Sequence, residues 1–552
     1  MAITLSAAYL AEIRKGSNQP NTILEIALDG GTVKWGFGKD LGYALSTYDV
    51  LPIVKSISSL QNKLDPKTGY STRGQITIVI SGRDNFKNLI ANNYLKNRRV
   101  VRKDGFLGIA YSDYAATFTG KITDWSRKGD ELTLTVSDDL TDASKKLPVE
   151  NTTKTQYLDY RNTNPVNIMT NLLVTQLGIG AGYVDSTKFG TERDTWLGGW
   201  AFDRVLTEPK AVDEYLNELQ TETNSFIIHD GEKISYKVFA PPVPGSAPEE
   251  WTDNTHILSG SLSQKAGYKD GFYNRIVVYY DYDESGSDKE ANFEAAVIAS
   301  DAASQGAGQW AEISSKVVKS KWMRSRTYSQ PVNAAGVVIY HCSRNNGTGT
   351  GVLTYTYAAG GSTLQWTAPG GSIGTAVKVT KDGKYQIFDA DTTKYIRVIV
   401  TLASLAGSNK TDNIAITALG ADTFAAALAQ KLLNRYRDPA STVALDIDIN
   451  NVAFGGVFIK PTDLKDITSD EAVEKGVSAW NKERVMITSV RPDKDKVSIE
   501  AIETRMYRRY GFIAPAGQAN YPAATAAEKE RAYIGDANNK VNAGTEDGYY
   551  VW

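Results

Sequence analysis

Thiols are nearly absent from this chain: its 552 residues include one cysteine, Cys342. A lone thiol excludes an intramolecular disulfide, and zinc or iron–sulfur sites built on cysteine need several thiolates. It suits assembly in a reducing cytoplasm. Histidine is almost as scarce, with His229, His256 and His341 the full set. They share no metal-ligand spacing of the HExxH kind, so structural or solvated roles are expected for all three. A dominant charge is missing too. Sixty-one Lys and Arg stand against 63 Asp and Glu, a formal net charge of −2, which argues against a dedicated nucleic-acid binder. No apolar run reaches the roughly 18 residues of a membrane-spanning helix. The opening MAITLSAAYLAEIRKGS lacks the basic start and apolar core of a secretory signal.

What is present favours strands. Tyr (30) and Gly (47) are abundant, which suits pleated surfaces and tight turns. At roughly 150 residues per domain, the length predicts three to four domains. Leu24, Ile26 and Leu28, then Val33, Trp35 and Phe37, alternate around Gly30-Gly31; period two about a glycine turn predicts a hairpin. Ile76, Ile78 and Ile80 repeat the pattern, Phe86, Leu89, Ile90 and Tyr94 fall at helical spacing, and a strand pair flanks Lys128-Gly129-Asp130. Residues 1–150 thus read as one β-rich domain. Asn164, Pro165 and Gly178 punctuate a helix. A second helix is expected over 210–221, feeding a hairpin about Asp230-Gly231, so 151–324 reads as α+β. The Pro-rich stretch 240–254 reads as a linker and 283–309 as a loop. Short strands at regular spacing over 325–420 predict a self-contained β-sandwich. Phe424, Leu428, Leu432 and Tyr436 mark a helix with Asp422 as its N-cap; strands over 443–449, 485–490 and 497–502 complete a C-terminal β domain, 421–510. Residues 511–552 read as an extended tail. The fold class is α+β, predominantly β, multidomain, with an inserted β-sandwich.

Catalytic signatures are hard to find. His341 and Cys342 are strand neighbours and point to opposite faces, and no GxSxG elbow occurs. The glycine runs 178–182 (GIGAG) and 347–351 (GTGTG) lack the strand-to-helix setting of a phosphate loop and read as turns. Asp446 and Asp448 share one strand face; glycosidase chemistry would need a second carboxylate across a cleft. They, Asp138-Asp139 and Asp281/Asp283 read as solvated strand ends. The basic stretches 96–103 (KNRRVVRK) and 505–509 (RMYRR) read as solvated faces or interface ion pairs, the first with the option of lining a passage for DNA. Tyr355, Tyr357, Trp366 and Tyr385 alternate along sandwich strands as core aromatics do; as a lesser reading Tyr355, Trp366 and Tyr385 are candidate carbohydrate contacts. No cofactor or metal is expected.

Four segments, in order, resemble a known family. FTGKITDWSRKGDELTLTVSDDLTDASKKLP (118–148), NPVNIMTNLLVTQLGIGAGYVDSTKF (164–189), AVDEYLNELQTETNSFIIHDGEKISYKVF (211–239) and LAQKLLNRYRDPASTVALDIDI (428–449) with the hairpin 485–502 are similar to the tail-hub, or tail-tip baseplate, proteins of long-tailed, siphovirus-like bacteriophages. The resemblance spans about three quarters of the chain and rests on patterns and their order. The chain departs from the family at FGGVFIKPTD (454–463), where a Gly-Asp is frequent, and it cannot hold the cysteine-bound metal cluster of some tail-tip relatives. The resemblance implies a non-enzymatic virion protein assembled in the host cytoplasm. It implies a homotrimeric ring below the tail tube, lining or gating the DNA passage. Its implied partners are the distal tail protein, the tape measure protein and tail fibres or other receptor-binding proteins. An immunoglobulin-like or carbohydrate-module-like insertion would decorate the exterior. The rival expectations are a host-surface carbohydrate-binding adhesin and a glycan-degrading tail protein.

Overall fold

The computed structural model describes residues 5–15, 19–37, 49–58, 62–64, 74–149, 157–206, 209–240, 248–253, 255–265, 271–283, 288–306, 310, 312–328, 337–344, 349–357, 361–381, 383–390, 395–402, 410–448, 459–473, 479–492 and 496–504, with four two-residue strand pieces between 533 and 550. The chain opens on α1 (Ala7–Ile13), whose N-cap Ser6 accepts the Tyr9 N–H at 3.1 Å. The expected hairpin forms as β1 (Pro20–Leu28) and β2 (Gly31–Phe37), followed by β3 (Leu51–Ile57), the short β4 (Asn62–Lys63) and β5 (Gln75–Ser81). Helix α2 (Arg83–Asn92) precedes β6 (Arg99–Phe106), β7 (Ala115–Lys128) and β8 (Glu131–Ser137).

Seven of these strands close into a barrel in the order β1-β2-β3-β5-β8-β7-β6. Period-two alternation explains the closure. Ile76, Ile78 and Ile80 of β5 and Leu132, Leu134 and Val136 of β8 are fully buried, while the residues between them face out. Each such side chain contributes about 1.5–3 kcal/mol of burial. A closed barrel has no free edge of its own. Helix α2 adds Phe86 and Leu89 to this core. Tyr94 lies beyond the helix end and is 82% exposed, so the expected helical stripe stops at Ile90.

Past the barrel, β9 (Lys146–Leu147) pairs with β12 (Lys210–Ala211), and β10 (Leu158–Asp159) with β11 (Val205–Leu206). Helix α3 (Pro165–Thr170) starts as predicted: the Asn164 side chain accepts the Val166 N–H at 3.0 Å, and a wider π-turn (Asn171–Gln176) carries the helix towards Gly178 at φ +73°. Helices α4 (Ser186–Glu192) and α5 (Val212–Thr223) follow, then the hairpin β13 (Ser225–His229) and β14 (Ile234–Val238). The strands β15 (Glu250–Thr252) and β16 (Ser263–Lys265) lead to β17 (Arg275–Tyr282), β18 (Phe293–Ser300), the one-turn helix α6 (Ala302–Gln305) and β19 (Ser315–Lys319). Strand β18 corrects the expected loop at 283–309. Its sequence FEAAVIAS hides its period behind alanines: Ala295, Val297 and Ala299 pack inward, while Ala296, Ile298 and Ser300 are exposed.

The sandwich comprises β20 (Arg326–Tyr328), β21 (Val337–Arg344), β22 (Thr350–Tyr357), β23 (Ser362–Thr367), β24 (Val377–Val379), β25 (Gly383–Phe388), β26 (Tyr395–Leu402) and β27 (Lys410–Ala418). One sheet runs β20-β27-β22-β23-β24, the other β21-β26-β25. Leu353, Leu364, Trp366 and Ile414 of the first meet Ile387, Ile396 and Val398 of the second in one core. The module is an insertion in the strict sense. Arg326 pairs with Ala418, and the Leu419 N–H donates to the Ser325 carbonyl at 2.8 Å, so chain enters and leaves at adjacent points.

Helix α7 (Ala421–Tyr436) follows at once. Its N-cap is Gly420 at φ +73°, not Asp422, which stands in the first turn; glycine takes that left-handed conformation without a Cβ clash, and the carboxylate there still favours the helix dipole. Ala425, Leu428 and Leu432 of α7 pack into the largest core, with Ile276, Val278 and Tyr280 of β17 and the helices of the middle region. The last sheet is built from β28 (Thr442–Asp448), β29 (Leu464–Ser469), β30 (Trp480–Pro492) and β31 (Lys496–Glu503), in the order β15-β29-β30-β31-β28-β16 with β4 also paired to β30. Strands from three distant parts of the sequence therefore share one sheet. Buried Leu64 then packs on Phe226, Ile228 and Met486.

Candidate interaction surfaces

The basic stretch of β6 and the turn before it is largely neutralised where it stands. Arg98 pairs with Asp29, Arg99 with Asp139 at 2.6 Å, Arg102 with Asp104 at 2.9 Å and Lys103 with Glu25 at 3.1 Å. Arg99 also lies 3.6 Å from the ring centroid of Tyr183. Arg99 thus ties the barrel to the segments that follow it, the other pairs stay within the barrel, and cations engaged in this way offer less free charge to a phosphate backbone. The second basic stretch, 505–509, lies outside the described residues.

The candidate carboxylates serve local structure. Asp446 accepts from Lys496 Nζ at 2.6 Å and Ser498 Oγ at 2.7 Å, tying β28 to β31. Partial burial works to raise its carboxyl, but these two donors win and hold it below the usual range. Asp448 is half-buried on the same strand. Asp139 is shared between Arg99 and Lys121, and Asp281 accepts from the backbone and hydroxyl of Ser325 at the root of the sandwich. Asp283, also buried, donates its backbone N–H to Asn292 O at 2.7 Å. The Nδ1 of His256 accepts the Thr252 N–H at 3.3 Å. His341 and Cys342 are adjacent on β21, with side chains outside the described set. Among the described residues, no three His, Cys, Asp or Glu side chains are gathered to hold a metal ion.

Of the three candidate sugar contacts, two are core residues. Trp366 is fully buried and Tyr355 is 2% exposed, both between the two sheets. Neither ring face is free to stack on a sugar in this conformation. Tyr385 is half-buried against the same core and donates its hydroxyl to Lys381 O at 2.8 Å.

Sequence reasoning overlooked a set of buried acids. Glu222 on α5 is 2% exposed; it accepts from the Ser320 hydroxyl and from the Lys321 N–H, the latter at 3.2 Å. Burial pushes its carboxyl up to about 8, with the charge of Glu218 adding and Ser320 and Arg204 opposing. Asp203, equally buried, is pushed up to about 7. A signal existed for Glu222. Tyr215, Leu219 and Glu222 continue one helical stripe, so the last of them had to be buried.

The surface best suited to a macromolecular partner is the sheet β18-β17-β19. One face packs on α7 through Val278, Val297 and Val318. The other carries a row in register across all three strands, Ile298–Val277–Val317. Ile298 is 54% and Val317 44% exposed, with Ile313 nearby at 62%. Among the described residues, the outer edges of β18 and β19 have no strand paired to them. An open edge beside an apolar face is the physical requirement for strand addition or sheet stacking by another chain.

No protein-family model matches the chain, and no curated protein matches it. Solved structures similar to it include the following two. The 43 kDa tail protein of prophage MuSo2 from Shewanella oneidensis aligns over 88% of this chain and 99% of its own, at 9% identity and a TM-score of 0.40. A chain of the native gene transfer agent virion aligns over 28% of this chain and 59% of its own, at 12% identity and a TM-score of 0.21.

Proposed function

We propose that this chain is a non-enzymatic structural protein of a bacteriophage tail, and that it forms the central hub of the tail tip. In this role it joins the tail tube to the tip fibres as a homotrimer and lines or gates the path of the DNA. The observation that carries the reading is how the hub-like segments come together. The four segments that resemble tail hubs in order supply the barrel strands β7 and β8, the helical layer, the β13–β14 hairpin, α7 and the closing sheet. The sandwich departs and returns between Ser325 and Leu419 without interrupting them. This layout fits an assembly body that carries an inserted decoration. The exposed Ile298 and Val317, flanking buried Val277, and the strand edges left unpaired among the described residues supply surface for neighbouring subunits.

The adhesin reading draws less support, because two of its three candidate aromatics are core residues. Mass photometry of the purified full chain tests the hub reading. A trimer is expected, since ring interfaces of this class bury more than about 2,000 Å². A monomer that persists at micromolar concentration would overturn it.

A further inference from the structure

The core between the two sandwich sheets is not closed by sandwich residues alone. Val205 of β11, 4% exposed, belongs to that core together with Leu353, Leu364, Trp366 and Ile396, and half-buried Tyr157 packs against it. The residues next to them along the chain, Leu158 and Leu206, join the largest core of the body instead. The period of a strand accounts for the split. Strands β10 and β11 pair with Leu158 opposite Leu206 and Asp159 opposite Val205, and successive side chains of a strand point to opposite faces. One face of this two-stranded ribbon therefore carries Leu158 and Leu206 into the body. The other carries Tyr157 and Val205 into the sandwich.

Polar contacts fix the ribbon on the body side as well. The Tyr160 N–H donates to the Arg204 carbonyl at 3.0 Å, and the Asp203 N–H to the Trp322 carbonyl at 2.9 Å. The Arg204 guanidinium pairs with Glu218 of α5 at 2.6 Å. Two further attachments hold the sandwich elsewhere. At its root, Asp281 of β17 accepts the Ser325 N–H at 2.6 Å. On β26, the Tyr395 hydroxyl donates to Glu294 of β18 at 2.9 Å. Entry and exit at adjacent points would by themselves leave an inserted module free to move against its host. Three separate attachments, one of them a shared core, remove that freedom.

We propose that the β10–β11 ribbon builds the inserted sandwich into the body as one rigid unit, so that a load or partner met by the sandwich acts on the helical layer directly. Val205 and Tyr157 plug the sandwich core, Leu158 and Leu206 seat the ribbon in the body, and Arg204 passes a shift of the strand to α5.

Native-state hydrogen–deuterium exchange of the full-length protein in sub-denaturing urea reads the coupling. In the parent, peptides of β23 (362–367) and β26 (395–402) should open at the same urea concentration as α5 (212–223). Val205→Ala removes two buried methyl groups and should cost the sandwich peptides about ten-fold in protection. The barrel peptide 75–81 should stay unchanged and show that the variant has folded. Leu206→Ala alters only the body face of the ribbon, yet it should loosen the same sandwich peptides, because a ribbon freed from the body takes Val205 with it. Sandwich protection unaltered by Leu206→Ala would overturn the proposal, since a self-supporting module would not feel that change. So would unaltered protection in Val205→Ala, or sandwich peptides of the parent that open at lower urea than α5.

Discussion

Replacing Glu222 with glutamine should make helix α5 more resistant to alkaline loosening. The carboxyl sits near the end of α5, buried against the 320–322 turn, and is pushed up to about 8 by that burial. An unfolded glutamate titrates near ~4.3. The folded state therefore keeps a proton that the unfolded state has released. The stabilisation is complete below the unfolded value and is lost as pH rises through about 8. Each pH unit in that window removes up to about 1.4 kcal/mol. Allowing for relaxation of the site, the loss between pH 5 and pH 8 is about 3 kcal/mol. Glutamine keeps an oxygen for Ser320 or the Lys321 N–H and has no proton to lose. Opening free energies of α5, from amide exchange of peptides spanning 212–223, should fall with pH in the parent. In Glu222→Gln they should hold nearly level, so the gap between the two widens towards pH 8. A gap that stays constant from pH 5 to pH 8 would refute the reasoning.

Arg484 is 2% exposed at its side chain and grips Asp466 with two hydrogen bonds of 2.8 and 3.0 Å; Arg484→Ala removes both from a buried carboxylate and should cost about 3–5 kcal/mol in urea denaturation. Trp366→Ala should destabilise the sandwich by about 3–5 kcal/mol in the same assay, with Tyr385→Ala costing less because its ring is only half-buried. Replacing residues 326–418 with a short Gly-Ser linker should leave a soluble chain of unchanged oligomeric state by mass photometry, since Ser325 and Leu419 are already in hydrogen-bond contact.

Local patterns were readable where one face of an element is buried. Ile76, Ile78 and Ile80 announced β5, the Asp230-Gly231 turn announced its hairpin, and Asn164-Pro165 announced the start of α3. Strand β18 was hidden because alanine is neither clearly apolar nor clearly polar, so its alternation left no contrast. The Gly420 cap was missed because Asp422 matched the usual capping chemistry, while the backbone took a left-handed turn that only a φ value reveals. The last sheet joins β4, β15 and β16 to β28–β31, and pairings between such distant segments leave no periodic mark. The same limit applies to the candidate site. Which side chains were charged was plain, but that the β6 cations face Asp29, Asp139, Asp104 and Glu25 follows only from the fold.

A tail-tip hub must sit at the distal end of the tail. Antibody raised against the purified chain and imaged by immunogold electron microscopy on tailed particles carrying it should decorate the distal end of the tail. Label confined to the head or the tail shaft, or particles that assemble complete tails without the protein, would contradict it.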